Sequence, residues 1–202
     1  MISASQCFPI FNACIQQYHV TDSVNQPLQN PYEKSSFEAL LFHKCWVDTV
    51  QWHFEDLIRD PKIVPNAGME LKRKIDASNQ MRTDMVEQID DWFLTIFKDT
   101  KVKPDAKLNT ESPAWVIDRL SILALKIYHM QEQTNRKEVS KDQKIKNQAR
   151  LDILLDQKQD LIISFDQLLT DIASGQRKMK VYRQMKLYND PNTNPVLYGK
   201  KS

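Results

Sequence analysis

Glycine is scarce in this chain, with three residues among 202, whereas an average protein contains about 7%. Open sheets, barrels and phosphate-binding loops need glycine where the backbone turns sharply or approaches a ligand. The scarcity therefore argues against dinucleotide-binding and P-loop folds. Long stretches without glycine or proline, such as residues 69–98, favour long helices joined by short loops.

Capping patterns predict where these helices begin and end. Ser35 with Glu38 has the spacing of a capping box, and Ser112 followed by Pro113 is a typical start of a helix. Gly175 is expected just after the last long helix. We expect a short first helix, then helices over 36–59 and 69–98, one that opens at 113, and one that runs from about 140 to 174.

The fold class predicted is all-α, a bundle of four to five helices over residues 1–175, in which residues 1–34 form a short helix and a loop. Residues 176–202 form a basic, partly irregular extension with seven basic residues and one acidic residue, which leaves 21 basic and 25 acidic residues in the body. This asymmetry predicts that the extension docks on the body, on a protein partner or on a polyanion. Because the pI of about 8.3 is modest, we do not expect nucleic acid.

The cysteines and the hydropathy pattern predict a cytoplasmic, soluble protein. Apolar residues make up 41% of the chain and charged residues 27%, which is ordinary for a soluble globular protein. Cys7, Cys14 and Cys45 are odd in number and fit no zinc spacing, so we expect reduced thiols. The N-terminal stretch lacks the features of a signal peptide, and no apolar run is long enough to span a membrane.

The helix that contains "WVIDRLSILALKIYHM" (115–130) is apolar on almost every side, yet it carries a row of charges. At about 100° per residue, Asp118, Arg119, Lys126 and His129 fall on one stripe. A helix that is apolar all round is usually internal to its domain. Charges in such a place need partners, because an unpaired buried charge is costly. We therefore expect the row to face a polar interior site between helices.

Two other helices offer partners for that row. Arg82 falls in the middle of the apolar face of the 69–98 helix, and Asn79 lies along one edge of it. His53 and Asp56 are three residues apart beside the apolar stripe of the 36–59 helix. A structural ion pair between Arg82 and Asp118 is an alternative interpretation of the same pattern.

A metal site is not indicated by any complete motif. The Glu-x-x-His pattern of di-iron bundles and the His-Glu-x-x-His pattern are both missing. Glu87 and Asp90 form a single acidic i,i+3 pair, which is more typical of a solvated helix edge than of metal ligands. The metal, and any other cofactor, stay unknown at this point.

Four segments resemble the bacterial domain-of-unknown-function family 4254: "WVDTVQWHFEDLIRDP" (46–61), "LKRKIDASNQMRTDMVEQID" (71–90), "SPAWVIDRLSILALKIYHM" (112–130) and "YRQMKLYNDPNTNPVLYG" (182–199). The similarity extends roughly over residues 10–199 and implies a helical bacterial domain without an assigned activity. The family pattern includes these residues at matching places: His53, Glu55, Asp56, Asp76, Asn79, Arg82, Asp84, Glu87, Asp118, Arg119, Lys126 and His129.

We therefore predict a protein that binds an anionic small molecule, phosphorylated or carboxylated, and that acts, if it is an enzyme, as a hydrolase or transferase. The candidate catalytic residues are His53, Asp56 and His129. The candidate substrate-binding residues are Asn79, Arg82, Asp118, Arg119 and Lys126. The alternative is a non-catalytic assembly or scaffold protein, a homo-oligomer or a complex formed through the C-terminal extension, whose charges form a structural network.

Overall fold

The computed structural model describes residues 3–199, in which five α-helices form a bundle without β-strands. This confirms the predicted all-α fold class. A single 3₁₀ turn follows at Leu187–Asn189. The helices are α1 (Ala4–Thr21), α2 (Phe37–Leu57), α3 (Pro65–Phe97), α4 (Pro113–Asn135) and α5 (Lys141–Ala173).

Two helix starts differ from the sequence prediction. The N-cap of α2 is Ser36 and not Ser35, and its hydroxyl accepts a hydrogen bond from the backbone N–H of Ala39 at 3.1 Å. Helix α3 begins at Pro65 and not near residue 69, because proline at the first helical position has a suitable φ and needs no N–H partner. Gly68 is thus inside the first turns of α3.

Helices α4 and α5 begin at the expected residues, and α5 also ends where expected, but the Ser112 hydroxyl makes no capping hydrogen bond among the described residues. Ser112 is the N-cap of α4 with Pro113 behind it, and the Ser140 hydroxyl caps α5 by accepting from the Gln143 N–H. Gly175 has φ +71 just past α5, and a Cβ there would overlap the carbonyl oxygen of Lys101. Glycine is therefore required where the end of α5 meets the loop that precedes α4.

Helix α4 is the central helix of the bundle and packs against each of the other four. Its buried side chains point in several directions, which explains why its sequence is apolar nearly all round. The buried apolar residues of α4 are Ala114, Ile117, Leu120, Leu123, Ala124, Leu125 and Ile127. Among the helices that the structure describes, none combines the length and apolar character that crossing a membrane requires.

The chain beyond α5 runs along α3 in an irregular conformation. The Arg183 guanidinium pairs with Asp91 and lies 3.5 Å from Glu87, and the Lys186 ammonium donates to the carbonyl oxygen of Asn79 at 2.9 Å. Within this segment, the described residues contain one regular element, the 3₁₀ turn at Leu187–Asn189. These contacts join basic side chains of the extension to an acidic edge of α3, while the division of the chain near residue 175 stays a prediction.

Candidate functional site

An ion-pair network lies in the interior of the bundle between α2, α3 and α4, and Asp48 is at its centre. One carboxylate oxygen of Asp48 accepts from the Lys44 ammonium at 2.5 Å and from the Ser121 hydroxyl at 2.6 Å. The other oxygen accepts from Nε of Arg82 at 2.7 Å. Each oxygen of this buried carboxylate therefore accepts from at least one donor.

Asp118 completes the network from α4. Its Oδ1 lies 2.6 Å from the Lys44 ammonium and 3.2 Å from Nη2 of Arg82. Burial alone would lower the pKa of Arg82, but Asp48 and Asp118 outweigh it and raise the pKa above its ordinary value. Two cations thus pair with two carboxylates, and the side chain of Lys44 is 0% exposed while that of Arg82 is 22% exposed. The ion-pair network is balanced in charge.

Sequence reasoning found two members of the ion-pair network, Arg82 and Asp118, and missed Lys44 and Asp48. The signal for the missing pair was present in the sequence. Lys44 and Asp48 are four residues apart and flank Trp46 and Val47, which belong to the apolar stripe of α2. An oppositely charged i,i+4 pair at such a place indicates an interior ion pair.

Three histidines meet near the C-terminal ends of α1, α2 and α4. His19, His53 and His129 each bring one ring nitrogen to a common place, where these atoms lie within 4.8 Å of one another. The ring centroids are 5.2 to 5.6 Å apart. We call this group the histidine cluster. It is half-buried and contains two residues that the sequence singled out, His53 and His129.

Hydrogen bonds orient the rings of the histidine cluster. Nδ1 of His19 donates to the carbonyl oxygen of Ile15 at 2.7 Å, and Nδ1 of His129 donates to the carboxylate of Glu132 at 2.8 Å. Nε2 of His53 lies 3.2 Å from Nε2 of His19. Nε2 of His129 is buried and has no hydrogen-bond partner among the described residues. Burial lowers the pKa of His53, and only Asp22 and Asp56 oppose that effect.

Aromatic rings and a second acidic residue, Asp22, adjoin the histidine cluster. Tyr18 stacks on His53 with ring centroids 5.0 Å apart, and Trp52 stacks on His129 at 4.9 Å. Oδ1 of Asp22 lies 3.7 Å from Nε2 of His53. Asp22 caps the end of α1 in the left-handed conformation, with φ 51 and ψ 49, which aspartate tolerates better than most residues.

The sequence did not point to His19 or Asp22 as site residues. His19, His53 and His129 belong to three different helices, so no spacing along the chain relates them. The available signal was that three of the four histidines lie near the ends of predicted helices.

The remaining predicted residues are distributed over several places. Asn79 accepts from the side-chain amide of Gln51 at 2.7 Å. Arg119 is exposed and lies 3.3 Å from Glu111, so it does not face the interior as the stripe predicted. Consecutive residues on a helix differ by about 100°, which separates Arg119 from Asp118. Lys126 is also exposed.

The acidic pair on α3 does not join the histidine cluster. Glu87 lies 3.5 Å from Arg183, and its carboxylate also accepts from the backbone N–H of Gln184. Asp90 is buried, and burial raises its pKa to about 6. Within residues 3–199, neither carboxylate belongs to a group of three close metal-ligating side chains.

Three cavities adjoin the predicted residues. The Lys126 cavity, of about 570 Å³, lies between α2, α4 and α5, and its lining includes Trp52, Asp56, Lys126, His129, Arg150 and Leu154. The Arg82 cavity, of about 380 Å³, lies beside α3 and is partly closed by the C-terminal segment; its lining includes Asn79, Arg82, Asp118, Lys186 and Tyr188. A third cavity, of about 320 Å³, is lined mainly by residues of α2, α3 and α4 and includes both Asp56 and Arg82. The predicted single site is thus spread over three cavities.

Comparison with known proteins places the chain in one family. The family model described as "Protein of unknown function (DUF4254)" matches residues 38–181, well over half of the chain. This range is narrower than the similarity over residues 10–199 expected from the sequence, and the segment 182–199 lies outside it. No curated protein and no solved structure matches the chain.

Proposed function

The chain belongs to the DUF4254 family, and from its geometry we propose that it binds an anionic small molecule with an apolar portion in the Lys126 cavity. Carboxylated and phosphorylated molecules are the candidate ligands. If the protein is an enzyme, hydrolysis or group transfer on such a molecule is the reaction class we propose.

The observation that carries this proposal is the presence of two uncompensated cations in one cavity. Lys126 and Arg150 project from α4 and α5 into the same space, and neither is within 4.0 Å of a carboxylate among the described residues. Guanidinium and ammonium groups are suitable donors to carboxylate and phosphate oxygens. Asp56 is the one acidic residue in the lining, so the cavity has a net positive charge.

The rest of the lining supports a ligand with an apolar portion. Trp52, Met130, Ile153 and Leu154 form most of the wall, and the volume lies within the range of about 300–1,000 Å³ typical of small-molecule sites. Asp56 and His129 lie in the same wall and are the proposed general acid and base. His53 does not line this cavity, and its proposed role is to act on His129, its neighbour in the histidine cluster.

The Arg82 cavity supports anion binding less well. Asp48 and Asp118 already occupy the Arg82 guanidinium, and Asp76 adds another acidic group to the wall. An entering anion would have to compete with carboxylates that are held in place by the fold. We therefore regard Asn79, Arg82 and Asp118 as weaker candidates for substrate binding than Lys126. Arg119 lines neither the Lys126 cavity nor the Arg82 cavity.

The test is a thermal-shift screen against sugar phosphates, nucleotides and aromatic carboxylates. A ligand at 100 times its dissociation constant stabilises a protein by about 2.7 kcal/mol, which corresponds to several degrees for a chain of this size. We expect such a shift in the wild type and its loss in the double variant Lys126→Gln, Arg150→Gln. Lys146→Gln, an exposed change on the same helix as Arg150, is the matched control. Equal shifts in all three proteins would contradict the proposal.

A second candidate function, assembly with a copy of itself or another protein, is favoured by the C-terminal segment. This segment exposes several large apolar side chains close together. Exposed apolar clusters of this kind are typical of protein–protein interfaces. The exposed residues are Tyr182, Met185, Leu187, Tyr188, Val196 and Leu197. Light scattering with size exclusion should show an oligomer that dissociates in the double variant Met185→Ser, Leu187→Ser. If the wild type is a monomer, self-assembly is excluded and a different protein is the remaining candidate partner.

The compartment and the source stay proposals as well. We propose a bacterial cytoplasmic protein. The three cysteines support this because they are free and buried, as expected for a chain kept in a reducing compartment.

A further inference from the structure

We propose that the histidine cluster is a binding site for a divalent transition-metal ion, with zinc as the first candidate and His19, His53 and His129 as its ligands. Imidazole nitrogens suit zinc, copper, nickel and iron, whereas magnesium and calcium prefer oxygen ligands. Three histidines from three helices supply such a donor set here. The inference rests on the cluster and does not depend on the proposed anion in the Lys126 cavity. With a metal bound, His53 and His129 would be ligands, and Asp56 would be the proposed acid or base that remains.

The hydrogen bonds of the rings carry the argument. A ligating histidine normally donates its other ring N–H to a carbonyl or carboxylate, which fixes the tautomer and leaves the ligating nitrogen bare. His19 does this through Nδ1 to the carbonyl of Ile15, and His129 does it through Nδ1 to the carboxylate of Glu132. Since both acceptors lack a proton to give, both Nδ1 atoms carry hydrogen and both Nε2 atoms offer a lone pair in the neutral rings.

A purely hydrogen-bonded cluster explains only part of this arrangement. His53 can donate from Nε2 to Nε2 of His19 at 3.2 Å, and that contact would satisfy one lone pair. Nε2 of His129 would still be buried with no donor among the described residues, which is unfavourable for a polar atom. A cation shared by the three rings satisfies all three nitrogens together.

The distances fit a metal after small side-chain rotations. With Zn–N bonds of about 2.0–2.1 Å, two nitrogens of a tetrahedral site are roughly 3.3 Å apart. The Nε2 atoms of His19 and His53 are already 3.2 Å apart, and the three ligand atoms lie within 4.8 Å of one another. The rings are half-buried and held by stacking on Tyr18 and Trp52, so the site is largely preorganised.

The composition of the site indicates catalytic rather than structural zinc. Structural sites usually have four protein ligands, and catalytic sites have three with water in the fourth position. Asp22 lies 3.7 Å from the nearest histidine nitrogen, where it can accept a hydrogen bond from such a water. Cys7 and Cys14 do not compete, because burial raises the pKa of both thiols, to about 12 for Cys7, and so keeps them protonated.

The experiment is a titration of metal-free full-length protein with Zn²⁺ in competition with a chromophoric chelator, repeated with Co²⁺ to record its visible spectrum. We expect one equivalent per chain and the absorption of four-coordinate Co²⁺ with nitrogen ligands. His19→Gln, His53→Gln and His129→Gln should each weaken Zn²⁺ binding by more than about 100-fold, because each removes a ligand. Glu132→Gln, which changes only the partner of His129, should weaken it by roughly 10-fold.

His43→Gln is the matched control, because His43 is the fourth histidine of the chain, is also half-buried, and lies outside the cluster. Its affinity for Zn²⁺ should equal that of the wild type. Circular dichroism establishes that each variant is folded, and Glu132→Gln keeps the test decisive if a histidine variant unfolds, since the Glu132 side chain is 49% exposed. The proposal is overturned if the wild type binds no stoichiometric metal. It is also overturned if the variant that combines His19→Gln, His53→Gln and His129→Gln binds the metal as tightly as the wild type.

Discussion

The ion-pair network and the histidine cluster both place polar side chains inside an apolar bundle, but they differ in how completely those side chains are paired. In the network, Lys44 and Arg82 meet the carboxylates of Asp48 and Asp118, and the charges cancel. In the cluster, three rings face one another, and within residues 3–199 Nε2 of His129 has no hydrogen-bond partner. A saturated network stabilises one packing of the helices, whereas an unsaturated cluster is suited to receive a ligand.

Asp48→Ala should have the largest effect, because it removes the centre of the saturated network. Lys44 and Arg82 would share one remaining carboxylate in the interior, and breaking a buried pair costs about 3–5 kcal/mol. We expect the thermal midpoint to fall by roughly 6–20 °C, measured by circular dichroism. Glu55→Ala, which breaks an exposed pair between α2 and Arg59 in the turn after it, is the control and should cost less than about 1 kcal/mol. Equal losses would show that the network is not structural.

Asp90→Asn tests how a buried carboxylate with one oxygen unpaired among the described residues makes the stability of the protein depend on pH. Its pKa is raised from 3.8 to about 6, so the folded state holds the proton more tightly than the unfolded state. The preferential protonation of Asp90 in the folded state therefore affects the free energy of unfolding. The wild type has its full stability from this source below pH 4 and loses about 3 kcal/mol of it as the pH rises through 6. Denaturant unfolding at pH 4 and pH 8 should therefore show the variant gaining on the wild type as the pH rises.

Asp91→Asn is the control for this prediction, since Asp91 is the exposed neighbour of Asp90. Its stability relative to the wild type should not rise between pH 4 and pH 8. If the difference in stability between Asp90→Asn and the wild type is the same at pH 4 and pH 8, this carboxylate is solvated or paired in solution.

His53→Gln and His129→Gln should have the smallest effects on metal-free protein. Each removes one hydrogen bond and part of an aromatic stack but leaves no buried charge unpaired, so we expect a loss of about 1 kcal/mol. Urea unfolding in the presence of a chelator measures it. A loss as large as that of Asp48→Ala would make the histidine cluster a structural element like the network.

Much of the fold follows from local features of the sequence. The caps at Ser112 and Ser140, the glycine after α5 and the missing glycines elsewhere all act within a few residues, so they can be recognised without knowing the packing. The apolar circumference of α4 likewise predicted a helix buried on several sides. The start of α3 was wrong by four residues, because a glycine in the first turns of a helix resembles a loop.

The candidate site could be predicted only in part. His53, Arg82, Asp118 and His129 were recognised because each is polar within or beside an apolar stripe, and that signal belongs to a single helix. The sequence by itself thus determined the helices, most of their ends and much of the faces that become buried. The tertiary structure decided which polar residues meet: it separated Arg119 from Asp118 and joined His19 to His53 and His129 across three helices. The physical reason is that spacing along one segment fixes which residues share a face of that helix, whereas the packing of the helices against one another sets which faces are buried and which residues of different helices meet.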